Sequence, residues 1–187
     1  AGLLTVAAKG EQDETVQRHL NAYMKSKRSG RVHLVHRLDR DTSGVMMFAK
    51  NFGTRELLKD TFAAHDIDRV YIAIVEGKPP AEQGTIRSYL LEDEKSLMVH
   101  SVKDSKAGKP AITHYRVRER FGAHALVECD LETGRTHQIR VHLASIGHPV
   151  AGDATYGGTR TPSSSRAEAR EALRSLSRPA LHAARLA

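Results

Sequence analysis

Residues 35–44, VHRLDRDTSG, combine charged side chains with a turn between two apolar segments. Asp39 stands between Arg37 and Arg40, and neighbouring cations favour the ionised form of a carboxyl group. A loop residue that flanking strands hold rigidly is in a usual position for a catalytic group. These residues by themselves are equally compatible with a salt bridge, because surface ion pairs are common. The stretch therefore predicts either a reactive carboxylate or a structural ion pair at Asp39.

Tyr71 lies in a second segment, RVYIAIVEG, whose apolar residues on both faces predict a central strand. A tyrosine at a strand position is most often a core residue. Aromatic residues are scarce, because Phe, Tyr and Trp together make up 5% of the chain and Trp is absent. If the protein stacks nucleobases on aromatic rings, few residues are available for this role. Tyr71 is therefore a candidate for the core and for base stacking.

A third segment, residues 133–158, is TGRTHQIRVHLASIGHPVAGDATYGG. It carries Arg135, His137, Arg140 and His142 from a turn into a predicted helix, an arrangement suited to phosphate contacts. His137 and His142 are five positions apart and so do not share a helix face. Neither an HExxH sequence nor a Cys/His ligand pattern occurs, so we expect no metal site.

Composition limits the class of protein. The 187 residues fit one domain, and 29 Lys and Arg against 22 Asp and Glu give a net charge of +7. A basic chain favours a polyanionic partner, with nucleic acid first among the candidates. The single cysteine, Cys129, has apolar neighbours and is expected to be a buried thiol. No apolar run approaches the roughly 18 residues that a membrane span requires, so we expect a cytoplasmic protein.

Two other enzyme classes are excluded by missing motifs. The letters HRLDRD are similar to the catalytic loop of protein kinases, but no glycine-rich loop, VAIK-type strand or DFG sequence accompanies them. No Walker sequence or dinucleotide fingerprint occurs either. We therefore expect no cofactor.

The periodicity of apolar residues predicts the elements that position these groups. Helices are expected over residues 13–27 with Asp13 as a possible cap, 51–65 with Leu57, Leu58 and Phe62 inward, 136–146 and 167–176. Strands are expected over residues 3–8, 44–50, 69–77, 85–91, 96–102, 112–121, 123–133 and 180–187, with a flexible loop at 157–166. Four of these strands, from residue 85 to residue 133, are predicted to form an antiparallel meander. Together the elements indicate one mixed α/β or α+β domain.

The three segments together resemble pseudouridine synthases of the RluA type. HRLDRDTSG, RVYIAIVEG and TGRTHQIRVHLASIGHPVAGDATYG occur in that family's order, and GKPAITHYRV and LHAARL are similar to its further landmarks. The resemblance implies a mixed, mostly antiparallel central sheet flanked by helices and loops, with a cleft that binds RNA. It also implies that residues 1–187 are a single catalytic domain, truncated at both ends, which leaves room for the small N-terminal RNA-binding module of many relatives.

The resemblance assigns the chemistry to Asp39. It implies isomerisation of a uridine in RNA to pseudouridine, without metal or cofactor, after the nucleotide is extruded from the RNA. Asp39 then acts as a nucleophile or assists elimination to a glycal, and the sequence does not choose between these routes. Arg140 matches the family arginine that pairs with the aspartate, and Tyr71 matches the tyrosine that stacks on the target base.

The remaining site residues are implied in the same way. Ile139 and Leu181 match apolar positions that wall the pocket, and Arg37 resembles the side chain that contacts the displaced nucleotide. Arg40, Arg135 and His137 are expected to contact phosphates or to support the site. Where the family commonly has Lys, this chain has Arg69, from which we expect little consequence.

The RNA substrate stays open. Large-subunit ribosomal RNA is the preferred partner over transfer RNA, and the protein is expected to be a monomer. An inactive RNA-binding or ribosome-assembly protein is the alternative from another class, although a pure binder has no need of an acid in its groove. A glycoside hydrolase using Asp39 and Asp41 is disfavoured because both lie in one turn.

Overall fold

A computed structural model of the chain describes residues 1–7, 13–93, 95–103, 106, 108–159 and 167–187. The helices are α1 (Val16–Ser26), α2 (Phe52–Ala63), α3 (Gln138–Ser145) and α4 (Ala167–Arg174). The strands are β1 (His33–Leu34), β2 (Ser43–Gly44), β3 (Phe48–Ala49), β4 (Arg69–Glu76), β5 (Gln83–Glu92), β6 (Val99–Val102), β7 (Lys109–Phe121), β8 (His124–Leu131) and β9 (Leu181–Leu186).

A seven-stranded sheet forms the centre of the fold, in the order β2-β9-β4-β8-β7-β5-β6. Its neighbours are antiparallel except β2 and β9, which run parallel. A separate two-stranded sheet pairs β1 with β3. The predicted fold class, a mixed and mostly antiparallel sheet flanked by helices, is confirmed. The predicted central position of β4 is confirmed as well, since β4 lies between β9 and β8.

One face of the sheet supplies the main core. Ala73 and Val75 of β4 pack with Val127 and Cys129 of β8, and Leu143 of α3 belongs to the same cluster. All five side chains are fully buried, and burial of this much apolar surface is the principal favourable contribution to folding. Cys129 is a buried free thiol, as predicted. Burial raises the pKa of this thiol to about 12, which leaves it protonated and unreactive.

The predicted strand over residues 3–8 is wrong for the described residues 3–7. Leu4 forms only an isolated bridge with Thr15, and the chain there accepts hydrogen bonds from the first turn of α1. Thr15, and not Asp13, caps α1, because the Thr15 hydroxyl accepts the backbone N–H of Arg18. The carbonyl groups of Leu4 and Thr5 therefore accept hydrogen bonds from N–H groups at the start of α1 that have no partner within the helix. A pattern of apolar residues in the sequence does not reveal this role.

The predicted strand over residues 44–50 is also wrong, because the segment divides between two sheets. Gly44 belongs to β2 and pairs with Ala183 of β9, whereas Phe48 and Ala49 pair with β1. Leu57 was expected to face inward, but 68% of its surface is exposed. The short sheet beside α2 is too small to cover all apolar residues of that helix.

The strands β5 to β8 do not form a simple meander. β5 and β6 form a hairpin, and β7 returns along the other side of β5 before it pairs with β8. Of the predicted flexible loop at 157–166, residues 160–166 lie outside the described residues. Among the residues that are described, no helix has the length and apolar character that crossing a bilayer requires.

Candidate active site

A cavity of about 550 Å³ opens between the loop 35–42, strand β4 and the turn that leads into α3. All the predicted site residues except Arg40 line it: Arg37, Asp39, Tyr71, Arg135, His137, Ile139, Arg140 and Leu181. These residues come from four separate parts of the chain. Arg40 is exposed outside the cavity, and its backbone carbonyl accepts a hydrogen bond from the N–H of Gly2.

The loop that carries Asp39 is fixed at both ends. The hydroxyl of the buried Thr5 donates to the carbonyl of Leu38 at 2.9 Å and accepts the Leu38 N–H at 3.2 Å. On the other side, Gly44 approaches β9 so closely that a Cβ at this position would lie 2.2 Å from the carbonyl oxygen of Ala183. Gly44 also has a φ of +124°, which side-chain-bearing residues rarely adopt. Thr5 in the N-terminal segment and Gly44 in β2 therefore anchor the loop that carries Asp39.

Arg140 joins two carboxylates. Its Nη1 lies 3.5 Å from Oδ2 of Asp39, while Nε and Nη2 donate to the two carboxylate oxygens of Asp153 at 2.7 and 2.9 Å. Burial alone would lower the pKa of Arg140, but the hydrogen bonds and charge of Asp153 and the charge of Asp39 raise it above its ordinary value. Arg140 is therefore a permanent cation whose orientation Asp153 fixes through a bidentate ion pair.

Exposure separates the two carboxylates. The side chain of Asp39 is 22% exposed and lines the cavity, whereas that of Asp153 is fully buried. Asp153 also accepts the backbone N–H groups of Thr155 and Tyr156, so its oxygens are occupied by four donors in all. A substrate can therefore reach Asp39 but not Asp153. Asp39 is the candidate reactive group, and Asp153 positions Arg140 beneath it.

Tyr71 lies on β4 and faces the same cavity. Burial and the charge of Asp39 raise the pKa of the phenol to about 12, although the nearby Arg69 opposes the shift. Tyr71 is therefore a neutral phenol at physiological pH. It offers an aromatic face and a hydrogen-bond donor, but not a phenolate base.

A buried amide shapes the turn before α3. The side-chain oxygen of Gln138 accepts from the Thr133 hydroxyl at 2.8 Å and from the Arg135 N–H at 3.0 Å. Its nitrogen donates to the carbonyl of Ile112 and the hydroxyl of Thr113 on β7. Every strong hydrogen-bonding position of this amide is in use, which ties the turn rigidly to the sheet.

His137 precedes α3 with a left-handed backbone conformation, φ +54°, and no side-chain cap. Its Nδ1 lies 2.8 Å from the hydroxyl of Tyr156, which also accepts the Val99 N–H. Burial lowers the pKa of His137, and the charge of Asp39 works in the opposite direction. The Tyr156 ring in turn lies under the guanidinium of Arg140, 5.0 Å from ring centroid to guanidinium carbon. Tyr156 thus contacts both His137 and Arg140.

The cavity is apolar on one wall and basic elsewhere. Ile139 and Leu181, each 4% exposed, form the apolar wall. The charged lining residues are the arginines Arg37, Arg69, Arg135 and Arg140 against one carboxylate, that of Asp39. This distribution suits a polyanion that presents one reacting group to the acid. Within the described residues, no cluster of three or more His, Cys, Asp or Glu side chains can hold a metal ion.

Sequence reasoning missed Asp153 and undervalued Arg69. Asp153 stands in the GHPVAGDATYGG part of the third segment, where a charged residue directly after an apolar run was a usable signal. Arg69 was noted only as a replacement of Lys, yet it is 8% exposed and lines the cavity two residues before Tyr71. Both are buried charges, and buried charges in a small domain are uncommon outside functional sites.

Solved structures define the class of fold. The chain superimposes on human RNA pseudouridylate synthase domain-containing 1 with a TM-score of 0.71 and 25% identity, covering 98% of this chain and 77% of that one. It superimposes on human RNA pseudouridylate synthase domain-containing 4 with a TM-score of 0.79 over 99% of this chain and 77% of the other, at 24% identity. The second likeness concerns the fold alone.

Sequence comparison then gives the family. The RNA pseudouridylate synthase family matches residues 1–145, and the chain belongs to this family. Ribosomal large subunit pseudouridine synthase D of Xanthomonas campestris is 43% identical over 154 residues, which are 82% of this chain and 46% of that protein. The protein of the same name from Neisseria meningitidis serogroup A is 40% identical over 188 residues, covering 100% of this chain and 49% of the relative. The chain thus spans about half the length of these curated relatives.

Proposed function

We propose that the protein is an RNA pseudouridine synthase that isomerises uridines in structured RNA. The observation that carries the proposal is the convergence of Asp39, Arg140 and Tyr71 on one cavity of about 550 Å³. Membership of the RNA pseudouridylate synthase family supports the same reaction. The volume of the cavity lies within the range of roughly 300–1,000 Å³ that ligand pockets have, and the arginines that line it attract the phosphates beside a bound nucleotide.

Asp39 carries the chemistry in this proposal. The bond between the ribose C1′ and N1 of uracil breaks, the base turns, and C1′ bonds to C5, while C5 loses a proton and N1 gains one. The carboxylate of Asp39 either attacks the reacting nucleotide or removes a proton to form a glycal. Both routes need a carboxylate held at a fixed place, and the neighbouring Arg140 provides this by its 3.5 Å contact.

Tyr71 and the apolar wall hold the base in this proposal. A uracil that is stacked in RNA does not reach Asp39, so the nucleotide has to be flipped into the cavity. The Tyr71 ring then stacks on the base, and Ile139 and Leu181 exclude water from its other side. Retention of the detached uracil allows the second bond to form before the base escapes. Arg37, exposed at the rim of the cavity, is placed to contact the displaced nucleotide.

Large-subunit ribosomal RNA is the proposed substrate. The names of the relatives from Xanthomonas campestris and Neisseria meningitidis state this target for those proteins. The net charge of +7 supports a large polyanionic partner but does not identify the RNA. We therefore choose ribosomal RNA over transfer RNA on the similarity to these relatives.

The test uses RNA transcripts that carry tritium at C5 of uridine. The protein is incubated with unmodified large-subunit ribosomal RNA or transfer RNA transcripts, and tritium release into water is measured. We expect release from the ribosomal transcript and none from the Asp39→Asn variant. Asp41→Asn is the matched control, because Asp41 is an exposed acid of the same loop that does not line the cavity.

Each failure has a separate meaning. Release from transfer RNA alone would transfer the substrate assignment to transfer RNA. Tight RNA binding without release by the wild type would favour the inactive RNA-binding protein. Full activity in Asp39→Asn would remove Asp39 from the mechanism.

A further inference from the structure

Arg69 has a buried guanidinium with no acidic partner among the residues that the structure describes. The residue is 8% exposed, and the part of the chain that the structure describes contains no carboxylate within 4 Å of its nitrogens. With the described residues as partners, Nη2 is the one donor in use, at 2.8 Å to the carbonyl of Glu132 and 3.5 Å to Nδ1 of His65. Nε is fully shielded and has no acceptor. A buried cation in this state is costly unless another charge compensates it.

The charges around Arg69 are mixed. Burial lowers the pKa of the guanidinium, Tyr71 and Asp130 oppose this shift, and the nearby Arg135 adds to it. Arg135 itself is exposed, and of its guanidinium only Nε donates, to the carbonyl of Pro110, within the described residues. The Phe62 ring lies 5.9 Å from the guanidinium carbon of Arg69 and supports it from one side. Two arginines therefore line one end of the cavity, and none of the described carboxylates lies within 4 Å of the Arg69 guanidinium.

Gly134 leaves space at this end. A Cβ at position 134 would lie 2.8 Å from Nη1 of Arg69. Nη1 makes no hydrogen bond in the described part of the chain, and Arg69, Gly134 and Arg135 all line the cavity. An oxygen ligand entering here would meet an unused donor of a desolvated cation, where charge-assisted hydrogen bonds are strong.

We propose that Arg69 and Arg135 form a phosphate subsite that binds a phosphodiester next to the reacting nucleotide. The inference rests on the proposed function, because it takes the anion from the RNA in the cavity. Arg69 and Tyr71 are two positions apart on β4, so their side chains share one face and are roughly 6.6 Å apart along the strand. This separation is one that a ribose bridges between its base and its phosphate. The phosphate neutralises Arg69 and fixes the register of the nucleotide against Tyr71.

The first test measures salt dependence. We compare kcat/KM for tritium release from the large-subunit transcript over a range of KCl concentrations for the wild type and Arg69→Gln. Loss of one phosphate contact lowers the log–log salt slope by about 0.7 to 0.9. Arg69→Lys retains a charge at the site and is expected to keep the wild-type slope. Arg116→Gln is the matched control, because Arg116 is exposed in a different groove and its removal is expected to leave the slope unchanged.

An unchanged slope in a folded, active Arg69→Gln variant overturns the subsite and leaves Arg69 a packing residue. If Arg69→Gln does not fold, the wild type is titrated with inorganic phosphate while the Nε–Hε signals of its arginines are followed by NMR. Arg69→Lys identifies the Arg69 signal by its disappearance. A saturable shift of this signal supports the subsite, and no shift over the range in which the protein stays folded overturns it.

The same titration separates the two proposals. If the wild type releases no tritium but the Arg69 signal responds to phosphate, the proposed function fails and the anion subsite stands. If tritium is released, the salt slope is the same in the wild type and Arg69→Gln, and the Arg69 NMR signal does not respond to phosphate, the proposed function stands without this subsite.

Discussion

Asp153→Asn is the sharpest test of how the site is held. Asparagine has the shape of aspartate, and its oxygen can still accept from Nη2 of Arg140 and from the N–H groups of Thr155 and Tyr156. Its NH₂ group, however, replaces the oxygen that lies 2.7 Å from Nε of Arg140, so two donors face each other. The variant also leaves Arg140 with Asp39 as its nearest carboxylate. Shape is therefore retained while one hydrogen bond and one buried charge are lost.

The magnitude follows from burial. Breaking one side of a buried ion pair costs roughly 3–5 kcal/mol, and we expect about 3 kcal/mol because Asp39 still compensates part of the Arg140 charge. Without the bidentate contact, Arg140 moves towards Asp39 and displaces it. A displacement of about 1 Å at a reacting group can reduce turnover by about 100-fold. We expect this loss mainly in kcat, since Asp153 is fully buried and is not among the residues that line the cavity.

The assay combines urea unfolding with tritium release. Unfolding is followed by circular dichroism, because the chain has no Trp. Glu128→Gln is the matched control: Arg118 holds Glu128 in a bidentate pair too, but the two side chains are 44% and 28% exposed. A pair at the surface contributes at most about 1 kcal/mol, so Glu128→Gln is expected to have a small effect. A change below about 0.5 kcal/mol in Asp153→Asn, with wild-type kcat, would refute the positioning role.

Two further predictions concern the framework of the site. Gly44→Ala would place a Cβ 2.2 Å from the Ala183 carbonyl oxygen, and we expect a loss of at least about 3 kcal/mol in urea unfolding together with loss of tritium release. Gly30→Ala is the control, because Gly30 also has a positive φ, +81°, but no atom lies within 4 Å of the added Cβ. We expect it to lose only about 1 kcal/mol of the free energy of unfolding. Equal losses in the two variants would contradict the steric argument. Burial lowers the pKa of His142 to about 4, from about 6.5 in an unfolded chain. Neutral His142 therefore stabilises the fold above pH 6.5. This contribution of roughly 3 kcal/mol to the free energy of unfolding disappears as the pH falls to 4. We expect His142→Gln to lose this pH dependence of the free energy of unfolding. If the free energy of unfolding changes equally with pH in the variant and the wild type between pH 4 and 7, the role of His142 is contradicted.

Local pattern was sufficient for much of the fold. The apolar run RVYIAIVEG gave the central strand, and Asn51 caps α2 at the predicted start. Such features depend on neighbours in the chain, and periodicity and capping record those directly. The division of residues 44–50 between two sheets was not predictable from the local pattern. It depends on the pairing of Gly44 with Ala183, which is far away in sequence, and on the pairing of β3 with β1, which lies on the other side of the loop that carries Asp39.

The sequence by itself identified Asp39, Tyr71 and Arg140 as residues to examine, through the resemblance of three segments to one family. Only the tertiary structure assigned their partners. Asp153 binds Arg140 across 13 positions of the chain, and Arg69 lies against the turn at Gly134 with no carboxylate within 4 Å among the described residues. Whether a charge is paired, buried or exposed depends on distances between segments that adjoin only after folding, and no local pattern contains those distances.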